Sequence, residues 1–159
     1  MSQKILLRKA TLLDADAISN IYLASRKKLV AFAPLAHSDE SIFQWIREMI
    51  ASTSEVIVAE ENSVVVGMMI LSKKNSIGWI DHLYLSPKMV GLGIGSLLVN
   101  TAKLQLGSPI RLNTFQENRE ARRFYEKHGF QILELTDGSQ NEENCPDVLY
   151  EWRSDALHV

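Results

Sequence analysis

The residues best suited to chemistry lie between Ile80 and Val99, in the run IDHLYLSPKMVGLGIGSLLV. It opens as a strand, with Leu83, Tyr84 and Leu85 supplying aliphatic and aromatic bulk. Pro87 ends regular pairing because it has no N–H to give a ladder. Glycines then stand at alternate positions, Gly91, Gly93 and Gly95, with Leu92 and Ile94 between them and Ser96 after. A helix pattern follows, carrying Leu97, Leu98 and Ala102. Strand, glycine-rich turn and helix together aim free N–H groups and the positive end of a helix dipole at one point, which suits a phosphate. Glycine tolerates positive φ there and lets a ligand approach bare backbone. Two familiar phosphate motifs do not fit. Ser96 follows Gly95 with no Walker-type lysine, and the spacing G-x-G-x-G is not the dinucleotide fingerprint.

The segment VGLGIGSLLV after LYLSP resembles the acetyl-CoA pyrophosphate loop of the GCN5-related N-acetyltransferase (GNAT) superfamily, Gln/Arg-x-x-Gly-x-Gly/Ala. Gly93 and Gly95 match the two small positions and Gly91 a frequent glycine before them. Val90 stands where the pattern has Gln or Arg, so main-chain amides would carry the hold. Downstream, the run from Asn118 through Ala121, Phe124 and Tyr125 to Gly129 and Phe130 resembles the same family's N-x-x-A-x-x-x-Y-x-x-x-G-F segment. The resemblance spans nearly the whole chain, its specific part running from about Trp79 to Phe130. The stretch TDGSQNEENCPDVLYEW is similar to the ending of a bacterial subgroup of unassigned substrate.

That resemblance implies transfer of an acetyl group from acetyl-CoA to a primary amine of a small molecule or protein, by direct attack in a ternary complex and without a metal. Residues 91–96 would hold the diphosphate, and a backbone N–H around Leu83 to Leu85 would polarise the carbonyl as a small oxyanion hole. Asn118 would cap its helix and contact the pantetheine arm, beside Ala121 and Phe124. Tyr125 falls on the family's tyrosine. A phenol of pKa about 10 would protonate a thiolate of pKa about 8.5 at a cost of about 2 kcal/mol. For the base, Asp81 and His82 lie on the strand entering the loop. His82, with an ordinary pKa near ~6.5, suits a water-relayed role, and Asp81 is the alternative. Strand alternation turns one of them to the cleft, and a bulge would change which. The acceptor is expected near Arg26 and His37 of the linker between the first helices, and near Glu142 and Glu143 of the late acidic loop. Acidic groups there would attract a cationic amine. The competing reading is a catalytically idle acyl-CoA-binding or sensing module. A nucleotide-binding regulator is a third.

The elements that must position these residues follow from periodicity. Ile5 to Arg8 reads as a strand, and Thr11 or Asp14 caps a helix through Ile18, Ile21 and Tyr22. Pro34 interrupts, and Ser38 starts a second helix with Ile42, Trp45, Ile46, Met49 and Ile50 on one face. Strands over Glu55–Glu60 and Val64–Leu71 flank a tight turn at 61–63, and a polar connection runs from Lys73 to Ser76. Further strands are expected at Ile110–Phe115, Gln131–Leu135 and Val148–Arg153, with a helix from Asn118 closed by Gly129. The order β-α-α-β-β-β-α-β-α-β-β describes an α/β protein with a mixed sheet and helices on both faces. It is also the order of the GNAT fold, which is mostly antiparallel and splays at two parallel strands. One domain over 1–159 fits the length.

Composition excludes several functions. A net charge of −2 and a pI near 6.1 argue against a phosphate-neutralising nucleic-acid binder. No apolar run approaches the ~20 residues of a membrane span, and MSQKILLRKA lacks a signal-peptide layout, so a cytoplasmic protein off the membrane is expected. The single Cys145 forms no internal disulfide, and His37, His82, His128 and His158 lack metal-ligand spacing. The resemblance also admits a homodimer.

Overall fold

Alternating and continuous apolar runs become a single seven-stranded sheet in the order β1-β2-β3-β4-β5-β7-β6. The computed structural model describes residues 4–33, 35–52 and 55–154; the expected break at Pro34 lies outside them. The strands are β1 (Ile5–Lys9), β2 (Glu55–Glu61), β3 (Val64–Lys74), β4 (Ile77–Leu85), β5 (Ile110–Phe115), β6 (Gln131–Leu135) and β7 (Asp147–Trp152). The helices are α1 (Ala15–Leu29), α2 (Asp39–Ala51), α3 (Ile94–Leu106) and α4 (Arg119–Lys127).

The two hairpins that carry β3 into place turn on positive-φ pairs, Asn62–Ser63 and Asn75–Ser76. Positive φ at both central residues matches the twist of the flanking strands, which is why such turns close two-residue hairpins. The connection expected from Lys73 to Ser76 is shorter than its polarity suggested: Lys73 and Lys74 continue β3, pairing with Gly78 and Ile77. Ladder hydrogen bonds need only main chain, so exposed lysines at a strand end cost little.

α1 and α2 cover one face of the sheet, where Ile18, Ile46, Val58, Met68 and Ile70 are buried. α3 and α4 cover the other, over Met69, Leu71, Ile80, Leu98 and Leu112. The N-cap of α2 is Ser38, whose Oγ accepts from the Ser41 N–H at 3.2 Å. Asn118 caps α4 in the same way, its Oδ1 accepting from the Ala121 N–H at 3.2 Å. α1 starts differently. Asp14 lies buried in the short 3-10 turn before it and accepts both the Thr11 N–H and the Arg8 guanidinium. Among the described residues, no helix is long and apolar enough to cross a membrane.

Every neighbouring pair in the sheet is antiparallel except β4 and β5, which run parallel and touch at only two positions, Gly78–Ile110 and Trp79–Arg111. Beyond Trp79 the two strands separate. β4 carries the cause: Ile70 pairs with His82 but Leu71 with Ile80, so Asp81 is an extra residue. A bulge of this kind bends its strand and sharpens the local twist. It also resets parity. Ile80, Leu83 and Leu85 all pack toward α3 and α4, an odd step that alternation alone forbids. His82 and Tyr84 are thereby turned to the α1–α2 face.

Deleting Asp81 leaves Ile80, Leu83 and Leu85 on one face and His82 and Tyr84 on the other, and removes only the extra residue that bends β4. The variant is expected to keep a cooperative unfolding transition and a native-like near-UV circular dichroism spectrum; loss of that transition would show that the bend itself is needed to seat the two faces.

Candidate acyl-CoA cleft

The glycine loop is built by conformation at two positions and by packing at the third. Gly91 and Gly93 have φ of 84° and 89°, and a Cβ added at either would meet nothing within 4 Å. Their requirement is positive φ together with open space above the backbone. Gly95 has ordinary φ, but a Cβ there would lie 3.1 Å from the Phe124 ring, so it admits α4 against α3. Ile94 is buried in the core, while Val90 and Leu92 are exposed. Among the described residues, none of the N–H groups of residues 91–96 finds an acceptor. They converge where the α3 dipole is positive, and Gly93 offers no side chain to cap them. Ser96 Oγ lies 3.0 Å from His128 Nε2 at the same end.

From this loop a cleft of about 740 Å³ passes between the separated strands to the opposite face of the sheet. Such a volume is typical of small-molecule and cofactor sites. Val90, Gly91, Gly93, Gly95 and Ser96 line one end, with Asn118, Ala121, Phe124 and Tyr125 of the α4 segment. Asp81, His82, Leu83, Tyr84 and Leu85 form one wall, along the β4 edge that β5 leaves unpaired. Leu92 and Ile94 present no side chain to the cleft. Sequence reasoning missed several lining residues. Arg119 and Lys127 share the α4 rim with Glu117 and Glu120, while Ser25, Leu29, Val30, Phe32 and Phe115 line the far end. The rim residues belong to the segment already recognised. The far-end residues carry no motif, and only the strand separation brings them into the cleft.

Tyr125 is buried and packs against Phe124 and Phe130, with ring centroids 5.2 and 5.8 Å away. Its hydroxyl has no hydrogen-bond partner among the described residues. Burial, reinforced by the neighbouring Tyr84 phenol, pushes its pKa up, so the phenol stays protonated at neutral pH. Tyr84 approaches from the other face, and burial raises it to about 12.

His82 sits among Tyr22, Trp45 and Tyr84, its ring 4.9 Å from Trp45. Burial and the nearby Arg26 charge push its pKa down to about 4. At neutral pH the imidazole is uncharged and makes no hydrogen bond among the described residues, although its basicity is weak. Asp81, the bulge residue, is exposed and also lines the cleft.

The four residues expected at the acceptor site behave otherwise. Arg26, His37, Glu142 and Glu143 do not line the cleft and pair with one another. Arg26 is 5% exposed; its guanidinium donates to Glu143 Oε2 at 3.1 Å and to the Ala33 carbonyl at 2.9 Å. His37 Nε2 lies 2.9 Å from Glu142 Oε2 on the surface. A buried guanidinium must be paired, and the late loop supplies the partner. These contacts bind the loop between β6 and β7 to the segment after α1, walling the cleft from outside.

Because His82 is held below its ordinary pKa, the folded state binds fewer protons than the unfolded chain. Its contribution to stability is complete above pH ~6.5 and is lost as pH falls toward 4, by about 3 kcal/mol at the limit. Denaturant midpoints measured from pH 7 to 4 should show this loss, and His82→Gln should flatten that limb. An unchanged limb would place the acid sensitivity elsewhere.

Known proteins share this architecture. The peptidyl-lysine N-acetyltransferase YjaB of Escherichia coli (strain K12) is 29% identical over 87 residues, 55% of this chain and 56% of YjaB. The matched stretch thus spans about half of that curated relative. The solution structure of apo YjaB superposes with a TM-score of 0.75 at 23% identity, covering 94% of this chain and 97% of that one. The PaiA N-acetyltransferase of Thermoplasma acidophilum, solved in complex with coenzyme A, gives a TM-score of 0.74 at 24% identity over 95% and 99% of the two chains. At these identities the two structures establish the shared fold. A family model described as Acetyltransferase (GNAT) family matches residues 16–130, from α1 through the glycine loop to the end of the Tyr125 segment, and the chain belongs to that family.

Proposed function

We propose that the chain is an acetyl-CoA-dependent N-acetyltransferase acting on a primary amine, of a small molecule or of a protein lysine. The observation that carries this reading is the row of acceptor-free N–H groups at residues 91–96, opening onto a cleft that crosses the sheet. The lysine alternative draws on YjaB, whose name gives it peptidyl-lysine activity.

The residues present fit a diphosphate with a long thiol-bearing arm. The amides of Gly91 to Ser96 and the α3 dipole hold negative charge without a basic side chain at Val90. Arg119 and Lys127 share that rim with Glu117 and Glu120, so the side chains there add no net charge and the amides carry the attraction. The unpaired edge of β4 offers main-chain groups to an amide-bearing arm, as an added strand would. Asn118 uses Oδ1 for its cap, which leaves its side-chain NH₂ to donate. Acetyl-CoA, when bound, supplies the acetyl group as a thioester already activated for attack.

The transfer joins the amine nitrogen to the acetyl carbon and breaks the carbon–sulfur bond; one proton leaves the amine and one reaches the thiolate. A main-chain N–H of β4 beyond the bulge, around Leu83 to Leu85, stabilises the charge that develops on the carbonyl oxygen. Tyr125 donates its phenolic hydrogen to the departing thiolate. Its raised pKa makes full transfer harder than for a free phenol and favours the role of hydrogen-bond donor. His82, uncharged at neutral pH, takes the amine proton directly or through water; Asp81, on the same wall, is the alternative.

One observation favours the competing acyl-CoA-binding module: burial makes His82 a weak base. The two readings part in an assay with acetyl-CoA and an amine panel, since a module would bind and release no thiol. Tyr125→Phe should lower kcat by about 100-fold. It should leave CoA affinity within about threefold, because the phenol adds little to ground-state binding. Equal losses of rate and binding would assign Tyr125 to packing instead. Gly93→Val should abolish the rise in Tm that CoA gives to the wild type. Valine is strained at this φ by about 1–2 kcal/mol and projects into the space where the diphosphate would lie.

A further inference from the structure

The far end of the cleft has a chemistry of its own. Phe32 and Phe115 meet edge to face at 5.9 Å, closing a wall between the segment after α1 and the end of β5. Leu29, Val30 and Tyr84 continue it with apolar and aromatic surface. The formally charged side chain there is Asp81. Arg26 lies directly behind this wall, its guanidinium carbon 5.7 Å from the Phe115 ring centroid. Its Nη1 and Nη2 groups are turned to the Tyr22 hydroxyl, to Glu143 and to the Ala33 carbonyl, and the side chain does not line the cleft.

Resting on the acetyltransferase reading above, we infer that this end selects primary amines carried on an uncharged apolar or aryl arm and rejects those bearing a carboxylate beside the amine. An ammonium group approaching from this side meets Asp81 and aromatic faces, both of which attract a cation. Its arm then lies against Phe32, Phe115 and Leu29. A carboxylate on the carbon next to the amine would enter the same space and find no free cation among the described lining residues of that end. Desolvating it there goes uncompensated, and Asp81 repels it. Free α-amino acids are therefore poor acceptors, whatever their side chains.

The test compares 2-phenylethylamine, phenylalanine and phenylalaninamide as acceptors with acetyl-CoA and the whole of residues 1–159. Rates are taken as kcat/KM per concentration of free base, so that amine basicity does not enter. The amide matches the carboxylate in bulk and lacks its charge. The expected result is a preference of about 100-fold or more for 2-phenylethylamine over phenylalanine, with phenylalaninamide recovering at least tenfold of that loss. Phenylalanine within threefold of 2-phenylethylamine would overturn the inference. So would phenylalaninamide as slow as phenylalanine, since bulk and not charge would then be excluded. Three inert amines, with CoA still raising the Tm, would also overturn it and leave the cofactor site standing. No Tm response to CoA would remove the reading on which it rests.

Discussion

One extra residue in one strand governs how this molecule can be used. β4 and β5 share two ladder positions and then part, and Asp81 is inserted just beyond the second. Had alternation run unbroken, a parallel pair in the middle of the sheet would have zipped shut, as buried parallel strands do. The bend leaves a gap through an otherwise continuous sheet, and the parity change decides what faces it. Aliphatic Leu83 and Leu85 stay with the core beneath α3 and α4, while His82 and Tyr84 join Tyr22 and Trp45 under α1 and α2.

Unmade hydrogen bonds are costly when buried, so structures that keep them place them where a ligand or water can answer. Here two sets lie along one cleft: the N–H groups of residues 91–96, and the edge of β4 past Trp79. They differ in charge. The helix end carries partial positive charge from aligned peptide dipoles, whereas a strand edge alternates donors and acceptors. A ligand that fits both has an anionic head and a neutral, amide-rich arm. Sequence and fold meet at this point, because the glycines matter only when the helix starts where the strand gap opens.

Local signals in the sequence were legible because local physics made them. Ser38 and Asn118 are short polar residues before helical periodicity, and each caps the helix it precedes. Gly129, at φ of 90°, ends α4 as its position implied. Asn62–Ser63 and Asn75–Ser76 mark hairpins, though the second turn is tighter than a run of polar residues suggests. Long-range pairing was not legible. Nothing in the types of Arg26 and Glu143, 117 positions apart, says that they meet, and both looked like free charges available to a substrate. Gly95 misled in a subtler way. It sits in a glycine motif for phosphate, yet its hydrogen makes room for the Phe124 ring.

The Arg26–Glu143 pair also explains how the two ends of the cleft come to differ. Burying a guanidinium and a carboxylate adds little net stability, since desolvation offsets most of their attraction. What the pair supplies is position. The late loop is further held by the His37–Glu142 contact and by Cys145, whose Sγ lies 3.8 Å from the Phe32 carbonyl. With that loop fixed, Phe32 is pressed against Phe115, and the Arg26 guanidinium is withdrawn behind aromatic rings. At the α4 rim Arg119 and Lys127 are balanced by Glu117 and Glu120, so the positive potential of that end comes from the α3 dipole and its free N–H groups, while the carboxylate of the other end is Asp81. An anionic donor and a cationic acceptor would each be drawn to its own mouth of the gap, so the field along the cleft separates them before any specific contact forms. They would meet between Tyr125, which α4 holds at the opening, and His82, which the bulge has turned toward it.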